Sequence, residues 1–289
     1  MHFTKTLLST LLKLALPASS PPLENSMGII DILPRPSQER GNGDLGWLKT
    51  FHTFSVDHND KEHIQFGSLR IINEDRVNAY SGFPLHAHRE FEIFSYLVSG
   101  LLKHEDSMGN VEILKRGDIQ LTSAGTGISH SEVAHGDTPV HFLQIWAFPS
   151  VPRLKPKYFT RHFSDGEKRD VWLRVVAPVD AEGVQRDTRE GTGPAPVQSG
   201  LTLYATLLSA GKSLTQRMTG SKAYIQVVQT SGHNIGPARG AAIRVFGGPG
   251  VDRVLKEGDG AYITFDEAAD LKVENAGDIT AEVLLFDLE

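Results

Sequence analysis

The sequence predicts an all-β protein made of two tandem β-barrels. Three observations predict it. Short runs of β-branched and aromatic residues follow one another, separated by turn residues. Few segments carry the spacing of a long helix. The two halves also show a weak internal repeat.

Taken in order, residues 28–50 are rich in Gly, Pro and charge and are expected to wrap onto the domain as an arm. Strand-like runs begin at Phe51. "HIQFGSLRIINEDRV" comes first, then "FEIFSYLVSGLLKHED" and "VEILKRGDIQLTS" on either side of "SMGN". Gly109 and Asn110 in that tetrapeptide tolerate positive φ, so it reads as a turn. "PVHFLQIWAF" (139–148) closes the first half, and Pro149, Pro152 and Pro156 follow as a linker signal. The second half resumes with "DVWLRVVAP", "LTLYATLLSA", "AYIQVVQTSG", "AYITF" and "AEVLLFDLE". Residues 180–199 between them are polar and read as an exposed loop. In the repeat, "SYLVSG" and "RGDIQLTSAG" match "QVVQTSG" and "EGDGAYITFD", setting Gly100 against Gly232 and Gly117 against Gly258. The expected organisation is an extension over 1–27, a first barrel over 28–150, a linker over 151–170 and a second barrel over 171–289.

The totals narrow the function. Of 289 residues, 39% are apolar and 22% charged, enough for a sizeable core. The net charge of −6 argues against direct nucleic-acid binding, which needs a basic surface. No run approaches the roughly 20 apolar residues of a membrane span. There is no cysteine, which removes thiolate metal sites and cysteine nucleophiles. Any metal must therefore be held by His, Asp or Glu. "MHFTKTLLSTLLKLALPASS" has two lysines and no acid. It reads as an untargeted extension, or over residues 1–20 as a mitochondrial transit peptide. The location is otherwise expected to be cytoplasmic or nuclear.

Histidines cluster: of 12, six lie between 86 and 141. Side chains at i and i+2 share one face of a strand, so His86 and His88 in "HAH" point the same way. His130 and Glu132 in "GISHSE" form a second such pair, and Gly125 and Gly127 let the chain turn tightly into it. Two such pairs on neighbouring strands can converge on one divalent first-row metal and leave coordination positions open. Glu92 and Glu90 share the parity of His88 and are alternative carboxylates. His104, in the charged context "KHEDS", is expected to be solvated; His135 and His141 are expected at the rim or in the core. Carried across the repeat, His86 and His88 land on Met218 and Gly220, and His130 and Glu132 on Leu271 and Val273. One metal site per chain is expected, in the first half. No phosphate loop or nucleophile elbow is present.

"GFPLHAHREFEIFSYLVSG", "KHEDSMGN", "RGDIQLTSAGTGISHSE" and "LQIWAFP" resemble the pirin family of bicupins. "GWLKTFHTFS" and "FGSLRIINEDRV" are similar to its quercetin 2,3-dioxygenase branch. The resemblance is dense from about residue 40 to 150, diffuse after 160, and absent over the first 27 residues. It implies two tandem cupin barrels of the jelly-roll type with metal in the first. It implies His86, His88, His130 and Glu132 as ligands, which favours Glu132 over Glu92, with Glu132 also the candidate catalytic base. Iron, as Fe(II), is the usual metal of the family; cupin dioxygenases also accept copper, manganese, nickel or cobalt. The activity implied is cleavage of a flavonol-like aromatic substrate by O2 with loss of carbon monoxide. The same ligands also suit the family's iron-dependent regulators, which bind protein partners, or an oxygenase acting on another phenolic or polyketide substrate.

Overall fold

The computed structural model describes residues 30–54, 63–247 and 250–289. The N-terminal extension and its targeting reading lie outside them. Among the described residues no helix is long and apolar enough to cross a membrane.

The described chain forms two barrels, each a seven-stranded sheet packed on a four-stranded one. In the first barrel the large sheet runs β12 (Lys157–His162), β9 (Asp118–Ser123), β6 (Glu92–Ser99), β11 (Val140–Ala147), β4 (Leu69–Val77), β3 (Leu48–His52), β2 (Gly41–Asp44). Its small sheet runs β5 (Gly82–His88), β10 (Ile128–Ala134), β7 (Leu101–Asp106), β8 (Val111–Lys115). In the second barrel the large sheet runs β1 (Ile30–Arg35), β20 (Gly260–Phe265), β17 (Lys222–Val227), β22 (Ala281–Leu288), β15 (Leu201–Leu208), β13 (Leu173–Pro178), β14 (Ala195–Val197). Its small sheet runs β16 (Ser213–Arg217), β21 (Asp270–Asn275), β18 (Arg239–Phe246), β19 (Asp252–Glu257). This is the all-β architecture of two tandem barrels that the strand spacing and the repeat predict.

Sheet membership crosses the expected boundaries. β1, expected as part of the first barrel, pairs with β20 of the second, Ile30 opposite Phe265. β12, expected in the linker, pairs with β9 of the first barrel, Lys157 opposite Ser123. Each barrel thus closes one edge of its large sheet with a strand from beyond its own expected limits, which covers an edge that would otherwise template aggregation. The segment 151–170 is therefore structured, and it also holds one helical turn, α1 (Asp165–Lys168), closed by a Ser164–Glu167 capping box. The 180–199 segment is not uniformly exposed either: it contains β14, whose three residues are buried.

The two large sheets face each other. Phe94, Tyr96 and Ile145 from one barrel share a buried cluster with Tyr224, Leu284 and Phe286 from the other. This explains why "FEIFSYLVS" reads as a nearly unbroken apolar run: β6 is covered on both faces. Along β6, Glu92, Phe94, Tyr96 and Val98 point toward the second barrel; Ile93, Ser95 and Leu97 point into the first.

The repeat is real in the strand order, but its register differs from the glycine alignment. Asp118 and Asp259 accept the same turn hydrogen bond, from Lys115 N at 2.8 Å and Lys256 N at 2.9 Å, so Gly117 and Gly258 correspond. Ser123 then corresponds to Thr264. Glu92 sits opposite Ser123 and Lys222 opposite Thr264, so Glu92 matches Lys222. On that offset His86 and His88 match Gln216 and Met218, two residues short of the glycine-based positions. Gln216 faces Leu271 as His86 faces His130, which closes the comparison. The second half carries two more residues before Gly232, which displaced the alignment. Met218, Leu271 and Val273 are fully buried in an apolar cluster.

Candidate metal centre

β5 is the edge strand of the small sheet, where Pro84 costs no ladder hydrogen bond. It lies close to β10: a Cβ on Gly82 would sit 2.2 Å from the Glu132 carbonyl oxygen. His130 is directly opposite His86, and Ile128 opposite His88. A bulge between His130 and Glu132 then shifts the register, so that Glu132 faces Phe83. Bulges of this kind re-aim side chains next to functional sites. Gly125, at φ 45°, turns the chain into β10 where a Cβ would overlap the Leu154 carbonyl at 1.9 Å.

His86, His88 and His130 converge as the alternation predicts. Their ring centroids lie 4.6 to 4.8 Å apart, and the Nε2 atoms of His86 and His130 face each other at 3.2 Å. His86 Nδ1 donates to the Pro84 carbonyl at 2.7 Å, which leaves the lone pair of the neutral ring on Nε2. Burial, then the neighbouring His86, pushes His88 down to about 4. Burial, then His104, His86 and His88, pushes His130 down to about 3. Neutral imidazoles crowded with their nitrogens together suit a cation between them better than protons. With a carboxylate nearby and no sulfur, the donor set fits a divalent first-row ion.

Glu132 is buried. Its carboxylate accepts from Ser95 Oγ at 3.2 Å and from Gln144 Nε2 at 2.6 Å. Burial raises its pKa to about 7, against the two hydrogen bonds and with help from Asp75. The four expected ligands do not close into one group. They fall into two triads that share His130: His86–His88–His130 and His104–His130–Glu132, the candidate ligand atoms of each lying within 4.8 Å of one another.

His104 is therefore a correction. It is fully buried rather than solvated, because β7 turns Leu102 and His104 inward and Lys103 and Glu105 outward. Its ring lies 5.2 Å from His130 and 4.9 Å from Tyr158. The alternation in "LLKHED" carried that signal; the surrounding charges hid it. Sequence reasoning also missed Ser95 and Gln144, which carry no motif, and Trp146, whose ring packs edge-on to His88 at 4.7 Å. Phe91 continues this aromatic wall, 5.1 Å from Trp146. A cleft of about 220 Å³ opens at His88, between Arg89, Ser107 and Ser129. His135 is exposed, and His141 is buried against Glu74 at 3.1 Å.

Neither alternative carboxylate enters the centre. Glu90 accepts the Arg153 backbone N–H at 2.9 Å. Glu92 belongs to the inter-barrel face of β6, where it accepts from Ser123 Oγ and, at 3.1 Å, from Gln198 N in the second barrel. Burial raises the Glu92 carboxyl to about 7 despite both hydrogen bonds. A folded pKa above the usual 4.5 means this group favours the fold at low pH and loses that contribution as pH rises through about 7. Glu92→Gln is expected to leave metal content unchanged and to gain stability over the parent between about pH 4.5 and 7, by up to about 3 kcal/mol. Urea unfolding at several pH values checks this; a pH-independent difference contradicts it.

A family model described as Pirin matches residues 35–147. A protein of Escherichia coli K12 named quercetin 2,3-dioxygenase is 33% identical over 257 residues, covering 88% of this chain and 97% of that protein. The crystal structure of YhhW from Escherichia coli superposes with a TM-score of 0.74 at 30% identity, over 90% of this chain and 98% of that one. A structure of the bacterial pirin YhhW in complex with nickel(II) gives a TM-score of 0.72 at 30% identity, over 89% and 99%.

Proposed function

We propose a function from the premise that this chain belongs to the pirin family: a metal-dependent dioxygenase of the quercetin 2,3-dioxygenase type, acting on a flavonol. The observation that carries it is the set of three converging imidazoles with a buried carboxylate at hand, beside an aromatic wall. His86, His88 and His130 would hold one divalent ion, Fe(II) by family habit, with Glu132 as the carboxylate ligand. The nickel(II) complex of YhhW supports a divalent metal in this family. An ion held there supplies Lewis acidity toward the substrate hydroxyl and redox capacity for chemistry with dioxygen.

The chain's own residues do the rest. Glu132 takes the proton of the substrate hydroxyl on a carboxylate oxygen, and Ser95 and Gln144 hold that carboxylate in place. Trp146 and Phe91 offer aromatic faces beside His88 against which a planar substrate can stack. The burial of His130 and Glu132 keeps water from the reacting side. General-base catalysis is worth about 10² to 10⁴ in rate. Glu132→Gln is thus expected to slow quercetin-dependent O2 uptake by at least about 100-fold. A rate within twofold of the parent contradicts the assignment.

A further inference from the structure

Two left-handed residues that are not glycine meet beside the metal centre. Glu90 and Arg153 both have φ 59°. They are two of four such residues among the described residues. A side chain in that region strains the backbone, which glycine would avoid, and such outliers gather at functional sites.

The two residues are tied to each other. The Arg153 backbone N–H donates to the Glu90 carboxylate, 2.9 Å from one oxygen and 3.2 Å from the other. Glu90 N in turn donates to the Gly125 carbonyl at 2.9 Å, and Thr126 N to the Leu154 carbonyl at 2.9 Å. Three segments are thereby fastened in a ring. They are the corner 89–91 between β5 and β6, the turn 124–127 before β10, and the strap 148–156 between β11 and β12. The strap is also pinned near its start, Phe148 N to the Ser68 carbonyl at 2.9 Å and Ser150 N to the Gln198 carbonyl at 2.7 Å. Glu90 is the side chain that joins its middle to the corner.

All three segments border the site. Gly127 lines the cleft with His88 and Arg89. Phe91, on the corner, stacks on Trp146, and Phe148, which opens the strap, stacks on Phe91 at 5.3 Å. Trp146 packs on His88, and Phe148 is 37% exposed, so a row of aromatic rings runs from the histidines out to solvent. The outer two rings of that row sit on the two segments that Glu90 ties together.

We propose that Glu90 is a positioning residue for substrate binding: its carboxylate holds the strap against the corner and so keeps Phe148 and Phe91 in line with Trp146 as one stacking wall for a planar aromatic substrate. This rests on the flavonol reading above. Glu90 acts through the wall and not through the metal, so its loss weakens substrate binding and leaves the chemical step alone.

Two readouts on the full-length, metal-loaded protein test this. The first is trypsin cleavage after Arg153, which reports local opening of the strap without any turnover. The second is the split between KM and kcat for quercetin. Glu90→Ala is expected to be cut after Arg153 at least about tenfold faster than the parent. Its KM is expected to rise at least about fivefold, with kcat and bound metal within about twofold of the parent. Glu90→Gln keeps a carbonyl oxygen for the Arg153 N–H and is expected to stay within about threefold of the parent in both readouts. Glu90→Gly separates the tie from the strain, because it relieves the left-handed backbone while removing the acceptor. It is expected to behave as Glu90→Ala does, and it serves alone if Glu90→Ala does not fold. The proposal is overturned if Glu90→Gly matches the parent, if cleavage and KM are unchanged in Glu90→Ala, or if kcat falls together with bound metal. A parent that leaves quercetin intact overturns the substrate reading, and the cleavage rates then decide the tie by themselves.

Discussion

His130→Ala is expected to yield folded protein that retains no divalent metal and shows no quercetin-dependent O2 uptake. His130 is the one side chain common to both triads, and it is the most enclosed of the three clustered imidazoles. Its ring sets the 3.2 Å nitrogen contact with His86 and stands 5.2 Å from His104. Outer-shell partners of a metal typically change affinity by 10- to 100-fold, so loss of the shared ligand is expected to exceed about 100-fold. Elemental analysis of the purified variant measures the metal, and a thermal scan shows that the fold survives. Retention of metal at the parent's level contradicts the assignment of His130 to the centre.

The second large effect is on stability, at the seam between the barrels. Arg40→Ala is expected to destabilise the protein by about 3–5 kcal/mol near neutral pH, the range for breaking a buried ion pair from one side. Arg40 and Glu74 are both fully buried and 3.4 Å apart. Glu74 also takes His141 at 3.1 Å and, across the seam, Gln229 N at 2.7 Å. Burial alone would raise the Glu74 carboxyl; the His141 hydrogen bond and Arg40 outweigh it and hold it at about 2. A folded pKa below the usual 4.5 gives stability that is present above that value and lost as pH falls toward about 2. Without Arg40 the buried carboxylate loses its main charge partner, and acid relieves it by protonation. The penalty is therefore expected to be largest above about pH 5 and to shrink below the usual carboxylate value. Adding Glu74→Gln is expected to restore part of the loss. Urea unfolding at pH 7 and pH 4 checks this; a penalty under about 1 kcal/mol at pH 7 contradicts it.

Much of the centre was legible because strand alternation is a local rule. "HAH" and "SHSE" needed only a period of two to place His86, His88, His130 and Glu132 on inward faces. The same rule would have placed His104, since Leu102 and His104 are buried while Lys103 and Glu105 are not. There the charged neighbours Lys103, Glu105 and Asp106 mask the parity. Glu92 shows the reverse case. Its parity relative to His88 is right, but the chain enters a different strand of a different sheet, whose outer face meets the second barrel. What lay beyond local rules was pairing over long separations. Nothing near Ile30 announces its partner Phe265, and nothing near Lys157 announces Ser123. The repeat was visible in its Gly-Asp turns, yet its register needed the paired strands, because two added residues before Gly232 shift any alignment hung on glycine.

The activity proposed for the first barrel is metal-dependent oxidation of a flavonol. It is tested most directly by loading the purified protein with Fe(II) without oxygen, then mixing it with quercetin and O2 while O2, quercetin and carbon monoxide are followed together. One O2 is expected to be consumed and one carbon monoxide released for each quercetin lost, and His130→Ala is expected to abolish all three changes. Metal-loaded protein that leaves quercetin intact over many expected turnovers, or consumes it equally well as His130→Ala, would contradict it.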